Sequence, residues 1–195
     1  MDFAFDLLQG AGIAAAIGIR PLLPVLLVGV LAGADAGVDF DGTSFVFLEQ
    51  PAFLLGAVVV VALLDIVRRR SPTWSESRPG LAAIGALAVA LGALEAAGSL
   101  ADRDHPVLAG VFVGAVCAVL ALIATRGLFE RVRSRLDAGA AAAVPLYQEG
   151  LALLVAGVSV AFPPLALVAI ALLAWLLLGS RRRDGEKYAG LRILR

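Results

Sequence analysis

Hydrophobic positions in this chain fall into long runs, and the polar positions gather in short punctuating stretches. Seven apolar segments stand out, at 3–19, 21–34, 51–67, 80–100, 106–125, 144–162 and 164–179. About 20 apolar residues cross the roughly 30 Å hydrocarbon layer of a bilayer, and most of these runs approach that length. In lipid an unpaired backbone group has no solvent partner, so each segment is expected to be helical. A strand barrel would show polar–apolar alternation in ten-residue units, which these runs lack. The pattern therefore predicts an all-α fold: a polytopic transmembrane bundle of six or seven helical segments. It forms one domain over 1–183, followed by a short basic cytoplasmic tail over 184–195.

Two runs end alike. Val58 to Val67 leads into Arg68-Arg69-Arg70, and Ile170 to Leu178 into Arg181-Arg182-Arg183. Each triplet follows a proline, Pro51 or Pro164, by 17 residues. Aligning the two stretches without a gap matches the proline, several leucines and all three arginines, which suggests an internal duplication. Prolines and arginines are also ordinary helix punctuation, so the match has a second explanation.

The polar stretches give orientation. Asp35 to Glu49 is acidic, and Arg68 to Pro79 is basic. The turn Asp102-Arg103-Asp104-His105 is acidic, Arg126 to Asp137 is basic, and the tail from Arg181 is basic. This alternation puts 14 of the 16 Lys and Arg on one side, with Arg20 and Arg103 the exceptions. The positive-inside rule makes that side cytoplasmic. The first 34 residues allow two layouts: one long helix broken at Arg20-Pro21, or a tight hairpin with the N-terminus outside. Pro21 and Pro24 disfavour a continuous helix, since each removes a backbone donor.

Composition agrees with the bilayer. Hydrophobic residues make up 61% of the chain and the mean hydropathy is +0.94, well above the roughly half-apolar soluble norm. Heavy use of Ala, Gly, Leu, Val and Arg suggests a bacterial source, hence the inner (plasma) membrane. Formal net charge is zero. The single cysteine, Cys117, excludes an intrachain disulfide. The chain has one histidine and one cysteine, far apart, so no transition-metal site is expected. Asp39-Phe40-Asp41-Gly42 resembles part of a calcium loop, but Gly37 and Leu48 occupy the positions of its first and last ligands. No cofactor motif appears, and no nucleophile–base pair suggests an enzyme. Basic residues follow topology, so nucleic acid is not an implied partner. The lipid bilayer is, along with a homo-oligomer or a membrane partner.

Four ionisable residues lie within or beside the apolar runs: Arg20, Asp65, Glu95 and Glu149. At mid-membrane each would cost about 2.5–3.5 kcal/mol, so such residues are usually paired or functional. Asp65 can pair with Arg68 one turn on. Glu149 lies one turn into its helix, at the favourable end of the dipole, and Glu95 is near enough to the outer face to snorkel. Arg20 sits at a break, between Gly18 and Pro21, where backbone groups are left open as they are in discontinuous transporter helices. Arg20, Asp65 and Glu149 thus form the candidate substrate- or ion-binding cluster of a small transporter or channel. A membrane scaffold or accessory subunit is the alternative, and a lipid-modifying enzyme a third. Gly110 and Gly114, like Gly29 and Gly33, have the spacing that lets helices approach closely in lipid.

Three short motifs carry a resemblance. They are Gly18-Ile19-Arg20-Pro21-Leu22-Leu23-Pro24, the stretch from Leu64-Asp65 through Trp74-Ser75-Glu76 to Arg78-Pro79, and Tyr147-Gln148-Glu149-Gly150. Together they resemble a bacterial membrane family known as domain of unknown function 4126. The chain departs from that pattern with Asp65 where Glu is common and with Arg69-Arg70 where Asp-Lys is common. The resemblance implies an integral membrane protein and names no activity.

Overall fold

The computed structural model describes residues 3–70, 77–103 and 105–189. The side chains of Asp65, Arg68, Arg69, Ala138 and everything from Ser180 onward lie outside the described set. Among the described residues there are seven helices of more than ten residues and no strand. They are α1 (Phe3–Ile19), α2 (Leu22–Ala32), α3 (Pro51–Arg70), α4 (Arg78–Ala101), α5 (Val107–Arg133), α6 (Val144–Ala161) and α7 (Pro164–Ala189). The all-α expectation holds. The helices α4 and α5, and the stretch Gly139–Ala161 that ends in α6, are long and apolar enough to cross a membrane.

Prolines set the helix starts. Pro51 and Pro164 open α3 and α7, while Pro79 and Pro145 fall in the first turns of α4 and α6. A missing N–H costs nothing there, because the first helical donors have no partner in any case. Ser77 caps α4, its hydroxyl accepting from the Gly80 N–H at 3.2 Å. The helix α5 continues to Arg133, two turns past the predicted apolar end at Thr125, since basic residues extend a helix into water as readily as apolar ones extend it in lipid.

The N-terminal region is a hairpin. Pro21 and Pro24 cannot donate, so the Ile17 and Arg20 carbonyls lose their normal helical partners and the chain turns. Gln9, two turns into α1, donates to the Gly37 carbonyl at 2.7 Å and the Val160 carbonyl at 3.4 Å. The start of α1, the loop after α2 and the end of α6 therefore share one end of the bundle. This acidic end also holds the α4–α5 turn. The basic end holds the α1–α2 break, the α5–α6 connection and the C-terminal half of α7.

Helix α1 is the axis of the bundle. Every residue from Gly10 to Ile19 is buried, and α4, α5, α6 and α7 surround it. The core is made of small residues, including Ala14, Ala15, Ala16, Ala96, Ala97, Ala118, Ala121 and Ala156. Many large apolar side chains point outward, among them Leu108, Phe112, Leu146, Leu154, Leu167, Trp175 and Leu178. In water this arrangement would be costly, whereas in lipid, packing depends on close backbone approach. A Cβ added at Gly110 would lie 2.5 Å from the Ala96 carbonyl oxygen, and one at Gly114 2.5 Å from the Gly92 carbonyl oxygen. The predicted packing role of these glycines is what the α4–α5 seam requires.

At about 16 Å, α2 is short for a span. The loop from Gly33 to Gln50 makes up the missing depth by folding back into the acidic end. Phe40 and Leu48 are wholly buried there, with the Phe40 ring against Gly98 of α4 and the Leu48 carbonyl against Gly29 of α2. Gly37 has φ +85°, a left-handed turn that only glycine adopts without strain and that presents its carbonyl to Gln9.

Candidate functional site

The break between α1 and α2 places Arg20 at the basic end, within reach of α6. Arg20 Nη2 lies 3.6 Å from Glu149 Oε1, and the two side chains are 20% and 38% exposed. The pair joins the central helix to α6 at the break, where Pro21 and Pro24 withhold the backbone donors of a continuous helix. Two of the three candidate residues thus meet across 129 positions of sequence. The third, Asp65, lies in the last two turns of α3, and its side chain is outside the described residues.

A second polar set occupies the acidic half. Asp6, near the start of α1, is 1% exposed. It lies 2.9 Å from Arg103 Nη1 and 3.3 Å from His105 Nε2. Arg103 also reaches Asp102 at 3.5 Å, and His105 meets the ring of Phe3 edge-on at 5.1 Å between centroids. Burial pushes the Asp102 carboxyl above its ordinary range, against the pull of Arg103.

Deeper in the same half lies Glu95 of α4, with 0% exposure and neither carboxyl oxygen hydrogen-bonded among the described residues. The expectation that Glu95 snorkels to the surface does not hold. Glu95 is wholly enclosed and residues 96–100 are all buried, so its side chain faces the interior of the bundle and not its outer surface. The buried hydroxyls of Ser99, Thr125 and Ser159 donate to the carbonyls of Glu95, Ala121 and Val155 in their own helices, which satisfies them locally.

In the acidic loop, Asp39, Asp41 and Glu49 bring carboxylate oxygens within 4.8 Å of one another. Such a trio offers oxygen donors of the kind a hard cation takes. Its hydrogen bonds, however, serve the loop: Asp39 accepts from the Asp41 N–H at 2.7 Å and Glu49 from the Phe40 N–H at 3.3 Å. Partial burial raises the Glu49 carboxyl above its usual range, and the neighbouring Asp41 and Asp39 charges add to this against the Phe40 N–H.

Residues 7–183 match the family described as domain of unknown function (DUF4126). The chain belongs to this family. No curated protein and no solved structure matches it. Within this DUF4126 chain, the motif around Arg20 and the motif around Glu149 converge at the basic end as an ion pair.

Sequence reasoning missed Asp6 and its partners. The available signal was Arg103, a base on the side that otherwise carries almost none. An arginine placed against the charge rule calls for a counter-ion, and the acid nearest in space came from the far end of the chain.

Proposed function

We propose that this protein is a multi-pass membrane protein that moves a small solute or ion through the helix bundle, using a polar site at the α1–α2 break. The observation behind this reading is the Arg20–Glu149 pair at a helix discontinuity, 3.6 Å apart. A helix break and a charge pair beside the central helix offer both signs of charge to a passing solute, as broken helices do in transporters. Asp65 on α3 is proposed as the third member. The basic end faces the cytoplasm of a bacterial inner membrane by the positive-inside rule, which leaves the N-terminus outside and the C-terminus inside.

The test is solute or ion flux in proteoliposomes, comparing the wild type with Arg20→Ala and Glu149→Gln. Loss of flux in either variant supports the assignment. A measured flux indifferent to both substitutions removes these residues from the pathway.

A second reading, a scaffold or accessory subunit, draws on α3. This helix packs mainly on α2 and leaves Leu55, Val58, Val59, Leu63 and Ile66 exposed. Lipid covers such a surface, and so does a partner helix. Co-purification of a stoichiometric membrane partner, together with absence of flux, supports this reading over transport.

A further inference from the structure

We infer that Glu95 is a proton-binding site inside the bundle, loaded and unloaded from the acidic end along the face of α4 that carries Ser99 and Asp102. This goes beyond the transport reading, since it concerns the opposite half of the bundle and rests on different residues.

Three observations carry it. The first is isolation. Glu95 is wholly buried, and both of its carboxyl oxygens are without a hydrogen-bond partner among the described residues. A lone carboxylate in such a setting is costly unless something neutralises it. The second is the donor set. A metal cation takes several oxygen ligands, whereas among the described residues Glu95 belongs to no cluster of three or more acidic, His or Cys side chains, and its helix carries Gly92, Ala96 and Ala97 here, with Gly10 of α1 against Ala96. The Ser99 hydroxyl, one turn along α4, already donates to the Glu95 backbone carbonyl at 3.0 Å. One proton completes a carboxyl group by itself, with no further ligands.

The third observation is the route. Residues 95, 98, 99 and 102 follow the i, i+3, i+4, i+7 spacing of a single helix face. Glu95 lies six residues inside the end of α4, about 9 Å along its axis. Ser99 is one turn toward the end, and Asp102 caps the helix beside Arg103. Phe40 covers Gly98 on this same face, and so closes the route in the state described. Among the described residues, the charged and titratable groups around the route are Asp6 from α1, Asp39 and Glu49 from the acidic loop, Asp102 at the end of α4, and Arg103 and His105 from the α4–α5 turn; Gln9 of α1 adds a neutral polar group.

A lipophilic carbodiimide tests the assignment on the full-length protein in lipid vesicles. The protonated carboxyl adds to the reagent: its oxygen bonds to the central carbon and its proton passes to a nitrogen. The O-acylisourea then rearranges by oxygen-to-nitrogen acyl transfer to a stable N-acylurea, which peptide mass mapping locates. The expected result is one adduct on Glu95. Its formation rate should fall about tenfold for each pH unit above the titration midpoint and should not respond to Na⁺ or K⁺ at fixed pH. Glu95→Gln should keep the fold and lose the adduct. In vesicles of fixed orientation, the rate should follow the pH on the acidic-end side. Four results overturn the proposal: a Glu95 that labels only after unfolding, an adduct that persists in Glu95→Gln, protection by Na⁺ at constant pH, or a rate set by the pH at the basic end. None of these readouts depends on flux, so failure here and failure of the transport reading are separate events.

Discussion

Replacing Gly114 with alanine perturbs the close seam between α4 and α5. The new Cβ would stand 2.5 Å from the Gly92 carbonyl oxygen, 2.7 Å from the Ala96 Cβ and 3.0 Å from the Ala93 Cα. Non-bonded heavy atoms settle at about 3.5–4.0 Å, so α4 and α5 must part by about 1 Å at the crossing. A gap of that size forfeits a quarter to a half of each pair's dispersion energy, and it loosens the contact at Gly110 as well. Overpacking of this kind costs about 1–3 kcal/mol. Alanine's better helix propensity returns up to about 1 kcal/mol. The net expectation is a destabilisation of about 1–2 kcal/mol. Gly56 and Gly150 are the controls, since a Cβ at either meets nothing within 4 Å. Alanine there should be neutral or stabilising by up to about 1 kcal/mol. Equilibrium unfolding of the micelle-reconstituted protein in SDS, followed by tryptophan fluorescence, measures all three variants. If Gly114→Ala unfolds at the same SDS fraction as Gly56→Ala, the close α4–α5 packing is wrong.

Other perturbations separate structural charges from functional ones. Asp6→Asn should destabilise by about 1–3 kcal/mol, less than a fully buried pair because Arg103 can still reach water. A double-mutant cycle with Arg103→Gln should show coupling between the two positions, and simple additivity would disconnect them. Arg20→Ala and Glu149→Gln should each cost under about 1 kcal/mol in the same unfolding assay, because the pair is partly exposed; any loss of flux then belongs to the site and not to folding. Glu49 has a raised carboxyl, so the folded loop holds its proton to higher pH than the unfolded chain does. Its stabilising contribution is full below the ordinary carboxylate range and declines as pH rises through the raised value. Hydrogen exchange over residues 35–50 should therefore quicken across that window, beyond the intrinsic pH effect. Glu49→Gln should flatten the response, and an unchanged response would place its origin elsewhere.

How much of this was legible in the sequence varied with the kind of contact. Helix positions were readable because apolar runs and prolines act locally: α1 spans the predicted 3–19, and α4 begins at its Arg-Pro. Arg20 was readable as a candidate because a proline break beside a charge is visible on one segment; Glu149 was expected near it only as part of a cluster with Asp65, whose side chain lies outside the described residues. Asp6–Arg103 was not, since 97 positions separate the partners and only the folded bundle brings them together. Glu95 shows a subtler limit. Its position in the run gave its depth, but depth does not say which way a side chain faces. The small residues beside it, Gly92, Ala96, Ala97 and Gly98, all buried, were the clue that this face of α4 is closely packed and turned inward.

The central claim is a membrane-crossing bundle in which α1 and α2 form a hairpin, so that the first residues share a face with the acidic loops. Site-directed thiol labelling tests this most directly. In a Cys117→Ala background, single cysteines at Phe3, Gly42 and Gly139 would be probed in sealed vesicles with a membrane-impermeant maleimide. The account predicts that Phe3→Cys and Gly42→Cys react from one face and Gly139→Cys only from the other. Reaction of Phe3→Cys from the Gly139 side, or of all three from a single face, would contradict it.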